Sequence, residues 1–142
     1  MKLYSLGHST KTFDGFLELI THAEIVTLAD IRRYPRSRRH PHFARERLQE
    51  RLPIEYVWLG EELGGFREPD YETWMRTADF ERGIVRLEEL ARNGIVGFMC
   101  SEGSPVKCHR RFVADRLASR SNDVWHLLPD GSLEPVIAPL DL

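Results

Sequence analysis

The sequence predicts an α/β fold: a doubly wound, mostly parallel sheet of about five strands with helices on both faces, in a single domain over residues 1–142. Three observations carry that expectation. Short apolar runs of strand length alternate along the chain with segments of helical period. Several of the runs, 95–100 above all, are mostly apolar rather than apolar at every second residue, as in parallel strands covered on both faces. The 142 residues hold no repeat, low-complexity tract or linker, and that length suits one hydrophobic core.

Taken in order, residues 2–6 (KLYSL) read as the first strand and 7–12 (GHSTKT) as the turn after it. Phe13, Phe16, Leu17 and Ile20 then follow the i, i+3, i+4, i+7 spacing of an amphipathic helix, with Thr12 placed to cap its first turn. Residues 25–30 (IVTLAD) form a second strand. In the segment after it, Pro35 and Pro41 exclude a continuous helix or a central strand. A helix is expected over 44–52 and a third strand over 55–59 (EYVWL). Residues 60–70 carry Gly60, Gly64, Gly65 and Pro69 and read as a loop. Over 79–92, Phe80, Ile84, Leu87 and Ala91 share one helix face, and Asn93-Gly94 stops it. Residues 95–100 (IVGFMC) give a fourth strand. The chain then predicts a helix over 108–119 with Phe112, Val113 and Leu117 inward, and a fifth strand over 123–128. The tail from about 129, which contains prolines, is expected to be peripheral.

Composition narrows the class. Hydrophobic residues at 42% and charged residues at 30% are ordinary for a globular chain and exclude disorder. No basic segment leads into an apolar run, and the longest apolar stretches fall far short of a bilayer, so a cytoplasmic protein without membrane contact is expected. Cys100 and Cys108 alone make no disulfide framework and read as thiols. The formal charge of -2 conceals an uneven distribution. Arg32, Arg33, Arg36, Arg38, Arg39, Arg45, Arg47 and Arg51 crowd one window, with only Glu46 and Glu50 against them. Such a block draws in phosphate or carboxylate groups.

In open sheets of this kind, ligands bind outside the carboxyl ends of the strands, where strand order reverses. Three segments meet that description: GHST after strand one, DIRRYPRSRRHPHF after strand two and CSEGSPVKCHRR after strand four. With YSLGHSTKTFDGF, LADIRRYPRSRRHPHF, EYVWLGEELGG and GFMCSEGSPVKCHRRFVADRL in this order, ending in DVWHL, the chain resembles the family catalogued as domain of unknown function 488. The resemblance carries over onto Gly7, His8, Ser9, Asp30, Arg32, Pro35, Ser37, Phe43, Leu63, Gly64, Gly65, Cys100, Glu102, Cys108, His109 and Arg110. Ala29 and Ile31, where valine is commoner, and a shortened segment before strand three (RLPIEY) depart from the pattern without touching a polar residue. The resemblance implies a fold and a site but no reaction.

Cys108, His109 and Arg110 stand at the start of the helix over 108–119. A helix N-terminus takes anions through its unpaired amide protons, and Arg110 adds a fork for phosphate or carboxylate. A thiol placed there is acidified and becomes a nucleophile; the plainer reading makes Cys108 a packed small hydrophobe and His109 a cap on a neighbouring carbonyl. His8 falls beside strand four, where Gly7 lets backbones approach. It is an acid/base candidate, or a residue that only bonds a neighbouring loop. Glu102 is a second acid/base candidate, or the ion-pair partner of Arg32 or Arg110. Arg32, which leaves a strand end, and Arg38, within PRSRRHPHF, join His109 and Arg110 as the anion-binding set; Gly7, Ser9, Asp30 and Cys100 support it. Tyr34 and Phe43 are available to stack on bases. Cys100, Cys108, His109 and His8 lack the short paired spacing of zinc ligands, so neither metal nor cofactor is expected. Six positions after Cys100 stands Val106, not the Arg of a cysteine phosphatase. LGEELGG lacks the Lys and Ser/Thr of a phosphate-cradling loop, and its glycines read as turn-formers flanking the pocket.

These residues point to a small enzyme acting on a phosphate-bearing substrate, a nucleotide or nucleic-acid end. His8 and Glu102 would handle protons and Cys108 would be the nucleophile. The rival is a non-catalytic module binding a nucleotide or nucleic acid, although no such motif is present and the pI of 6.3 is low for one. A Cys-dependent sulfurtransferase is a further alternative, suggested by Asp30-Ile31-Arg32 at one strand end and a cysteine at a later one. The sequence gives no oligomeric state.

Overall fold

The computed structural model describes residues 1–36, 38–105 and 108–138. Along them run β1 (Lys2–Gly7), α1 (Phe13–His22), β2 (Thr27–Asp30), a 3-10 turn (Pro41–Phe43), α2 (Arg45–Arg51), β3 (Glu55–Trp58), α3 (Gly60–Leu63), α4 (Tyr71–Trp74), α5 (Ala78–Ala91), β4 (Val96–Cys100), α6 (Arg110–Ser119), β5 (Asp123–Leu127) and β6 (Leu133–Pro135). The strands make one α/β sheet in the order β3-β2-β4-β1-β5-β6, parallel except for β6, which runs antiparallel to β5.

Every residue of β2 and β4 is buried, which is why these runs show no polar alternation. On one face Leu3, Ala29 and Phe98 pack with Ile84 and Leu87 of α5 and Val113 and Leu117 of α6. On the other, Leu6, Leu28 and Met99 pack with Phe16 and Ile20 of α1 and Leu48 of α2. Thr12 caps α1 by accepting from the Gly15 N–H at 3.0 Å, and Thr77 caps α5 through the Phe80 N–H at 3.2 Å. Gly94 ends the α5 turn at φ +143°, a conformation that L side chains rarely adopt.

Three elements depart from the expectation. Residues 60–70 are not wholly loop, because their first four residues form α3. Leu63 is fully buried against α5, where a Cβ on Gly83 would lie 2.6 Å from Leu63 Cγ. One turn anchored by one leucine is too short to display a period. The glycines there are not turn-formers either, since none of them has positive φ. They permit close approach instead: a Cβ on Gly60 would stand 1.9 Å from the Arg32 carbonyl oxygen, and one on Gly64 would stand 2.5 Å from Arg33 Cβ. Finally, the tail returns as a sixth strand. Asp130 accepts from the Ser132 N–H at 2.9 Å, Gly131 turns at φ +88°, and β6 pairs on the exposed edge of β5. Prolines at both ends of that segment hid a strand that only an edge tolerates.

The topology brings the three expected segments together. Gly7 of β1 lies opposite Cys100 of β4, and Asp30 of β2 lies opposite Met99 on the other side of β4. The chain leaves β1 for α1 on one face and β4 for α6 on the other, so strand order reverses between these neighbours. Among the described residues, no helix is long and apolar enough to cross a membrane.

Candidate active site

Cys100 closes β4 and is 2% exposed. The chain then returns Cys108 against it, with the two Sγ atoms 2.6 Å apart and both cysteines free. α6 begins two residues later, and the Arg110 N–H points at Cys108 Sγ at 3.4 Å. The sulfur thus takes the place of a capping oxygen at one of the unpaired amides of the first turn.

The Arg110 side chain runs back under the loop and is fully buried. Nη1 donates to Cys100 Sγ at 2.8 Å and to the Glu102 carbonyl at 2.6 Å, while Nε donates to Ser5 Oγ at 3.2 Å. Among the described residues, no carboxylate pairs with this guanidinium, and its Nη2 has no hydrogen-bond partner. A buried cation without a countercharge is costly, and the group best placed to supply the charge is the cysteine pair. Cys108 Sγ shares a hydrogen bond with Cys100 Sγ, stands 3.7 Å from His109 Nδ1 and takes the Arg110 N–H. Together these outweigh burial and bring the Cys108 thiol down from its ordinary value of 9.0 to about 4. Burial, followed by the bond to Cys108, pushes Cys100 up. Of the two, Cys108, the less buried, is therefore the thiol held low and Cys100 the one held high.

A second buried pair stands at the end of β2. Asp30 accepts from Arg32 Nε at 2.8 Å, Arg32 Nη2 at 2.7 Å, the Arg32 N–H at 3.1 Å and the Tyr56 hydroxyl at 2.5 Å. Arg32 also donates to the Phe43 carbonyl at 2.7 Å. Burial opposes its charge, but the Asp30 carboxylate outweighs burial and holds the guanidinium protonated. Arg32 is thus committed to Asp30 and Phe43, and only Nη1 lacks a partner among the described residues. Burial and the neighbouring carboxylate likewise keep the Tyr56 phenol protonated.

The remaining expected residues fall around these two. The His8 N–H bonds the Cys100 carbonyl at 3.0 Å and the Ser9 N–H bonds the Ser101 carbonyl at 2.9 Å, so β1 and β4 continue together into the site. His8 stacks on Phe43 at 4.3 Å and gives its Nδ1 proton to the Ser9 carbonyl at 2.9 Å, leaving Nε2 buried without a partner among the described residues. Burial, reinforced by Arg32, pulls its pKa down to about 4, so the imidazole is neutral at physiological pH and a weak base. Gly7 is needed for close approach: a Cβ there would lie 1.9 Å from the Glu102 carbonyl oxygen. The Glu102 side chain is exposed and makes neither of the expected ion pairs; Oε1 accepts from the Ser104 N–H at 3.4 Å, while its main-chain oxygen holds Arg110. His109 packs on Tyr71 at 5.1 Å and against Gly65. Arg38 is exposed beside the site segment, and Ser37 lies outside the described residues.

The family model for a domain of unknown function, DUF488, matches residues 12–117. The chain belongs to this family. The DUF488 match takes in Asp30, Arg32, both cysteines and the start of α6, but stops short of His8 on one side and β5 on the other. No curated protein and no solved structure matches the chain.

Several residues of this DUF488 site escaped the sequence. Ser5 and His126 face each other across β1 and β5, with Ser5 Oγ 2.5 Å from His126 Nδ1, so Arg110 ends a chain of polar contacts running through the sheet. A serine inside an otherwise apolar strand was the available signal. Phe43, expected to stack on a base, is fully buried against His8 and Phe16 and cannot do so. Phe66 takes its place at the surface: it is 81% exposed at φ 61°, and its ring lies 5.8 Å from that of Tyr34, which is 62% exposed. Grooves of about 620 and 680 Å³ lie elsewhere, one beside Tyr4 and Leu19 and one along α5, and neither reaches Cys108.

Proposed function

We propose that this protein is a small thiol-dependent enzyme acting on a phosphate-bearing substrate, a nucleotide or the end of a nucleic acid, with Cys108 as the reacting group. The observation that carries the reading is the buried Arg110, whose guanidinium meets the Cys100 sulfur and, among the described residues, no carboxylate, while its backbone N–H meets the Cys108 sulfur. The Cys100 thiol, His109 and the Arg110 N–H favour the Cys108 thiolate, and Nη2 keeps hydrogens for an anionic oxygen. Arg32 serves chiefly to hold the corner between β2 and the 3-10 turn. His8 acts as a neutral wall of the site, and Glu102 is the carboxylate left to exchange a proton with bulk water.

The substrate class rests on what borders the sulfur. Gly65 packs on His109, and the next residue, Phe66, pairs its exposed ring with Tyr34; Arg33 reaches across to the Phe66 carbonyl at 2.5 Å. Arg36, Arg38 and Arg39 are exposed on the same segment. Exposed rings beside arginines suit a base and its phosphates. The same surface favours a second reading, a binding module without turnover.

The test is a thermal-shift screen of wild type, Arg110→Ala and Cys108→Ser against inorganic phosphate, nucleotides, and short single- and double-stranded DNA and RNA at low and high salt. A nucleotide that stabilises wild type and Cys108→Ser, but is turned over only by wild type, supports the enzyme. Stabilisation by polynucleotides alone, abolished by salt and indifferent to Cys108, supports the binding module. No shift with any phosphate compound overturns both.

A further inference from the structure

We propose that Cys100 and Cys108 form a redox-active pair that reduces a hydroperoxide, with Cys108 as the attacking sulfur and Cys100 as the resolving one. This builds on the reading of Cys108 as a thiolate but requires no phosphate substrate. Three observations place the pair. The Sγ atoms are 2.6 Å apart, well inside van der Waals contact, so bond formation needs a closure of roughly half an ångström. Accessibility differs between them: Cys100 is 2% exposed at the end of a central strand, whereas Cys108 is only half-buried at the end of a loop, so an oxidant meets Cys108 first. Arg110 Nη1 lies 2.8 Å from Cys100 Sγ, where it steadies negative charge on the sulfur that attacks second.

The chemistry balances without a group from outside the named reactants. The Cys108 thiolate attacks one peroxide oxygen. The O–O bond breaks, the released hydroxide or alkoxide carries the thiolate's negative charge into bulk solvent, where the buffer protonates it, and Cys108 becomes a sulfenic acid. Cys100 then attacks the Cys108 sulfur. The S–S bond forms as the S–O bond breaks, and the departing hydroxide leaves as water with the Cys100 proton. The dithiol has lost two electrons and the peroxide has gained them. A small thiol restores the pair by thiol–disulfide exchange.

Hydrogen peroxide at one equivalent, added to the folded full-length chain, tests this with intact and peptide mass spectrometry. The expected product has lost two hydrogens, contains a peptide linking Cys100 to Cys108, carries no alkylatable thiol and returns fully on adding dithiothreitol. Cys100→Ser, a near-isosteric change, should lose the linked peptide entirely and accumulate oxygen on Cys108. Oxidation of wild-type Cys108 to the sulfinic acid with Cys100 still a free thiol would overturn the pair while leaving the thiolate intact. Failure of both cysteines to react would overturn the thiolate as well.

Discussion

Replacing Arg110 with methionine removes the buried cation and keeps most of its apolar stem. In the native chain the guanidinium touches Cys100 Sγ at 2.8 Å, and Cys100 Sγ lies 2.6 Å from Cys108 Sγ. A positive and a negative charge about 4 Å apart interact by about 4 kcal/mol at an effective dielectric constant of about 20. That corresponds to about 3 pH units on the first ionisation of the pair. Losing the cation disfavours the thiolate, so the midpoint should rise from about 4 toward the ordinary thiol range. Thiolate absorbance in the ultraviolet, followed through a pH titration of each variant, reads this directly. Alkylation rate at a single pH does not, because a less acidic thiol is also the stronger nucleophile once ionised. Arg110→Lys keeps the charge while losing the fork and should move the midpoint far less. An Arg110→Met midpoint within about half a pH unit of wild type would refute Arg110 as the countercharge.

Other outcomes follow from the same geometry. Asp30→Ala strands the buried Arg32 cation and should cost about 3–5 kcal/mol in urea unfolding, whereas Asp30→Leu combined with Arg32→Met should cost less than either single change; equal losses would mean that the pair is not the cause. His8 titrates at about 4 folded against 6.5 unfolded, so the unfolded chain binds the extra proton in that window and stability falls as pH is lowered through it, by about 3 kcal/mol. His8→Asn should remove this part of the pH dependence, measured as the difference between the two chains' unfolding curves. Gly7→Ala would place a Cβ 1.9 Å from the Glu102 carbonyl that holds Arg110, and should both cost about 1–3 kcal/mol and raise the midpoint of the cysteine pair.

The fold was legible because its signals are local. IVTLAD and IVGFMC are mostly apolar and hold the buried strands β2 and β4, and Thr12 capped its helix through the expected hydroxyl. That the three polar segments gather at the ends of β1, β2 and β4 followed from the alternation of elements and the reversal of strand order. What the sequence hid was partnership. Arg32 and Arg110 look alike in the chain, yet Arg32 is neutralised by a carboxylate two residues away, and Arg110 reaches Ser5, Cys100 and the Glu102 carbonyl from three different segments. Gly60, Gly64 and Gly65 carry the same letters whether they turn a chain or admit a neighbour, and only the packing of Arg32, Arg33 and His109 distinguishes the two. Phe43, expected to stack on a base, is buried, and Phe66, to which the sequence reading gave no role, is exposed, since burial belongs to the assembled faces and not to the residue.

The most direct test of the account is the rate at which iodoacetamide modifies Cys108 in the folded wild-type chain as pH varies, with the labelled peptide identified. A thiolate already formed near pH 4 gives a rate that is flat between about pH 5 and 8, with the label on Cys108 and none on Cys100. A rate that climbs about tenfold per pH unit across that range, or a label that reaches Cys100 first, would contradict it.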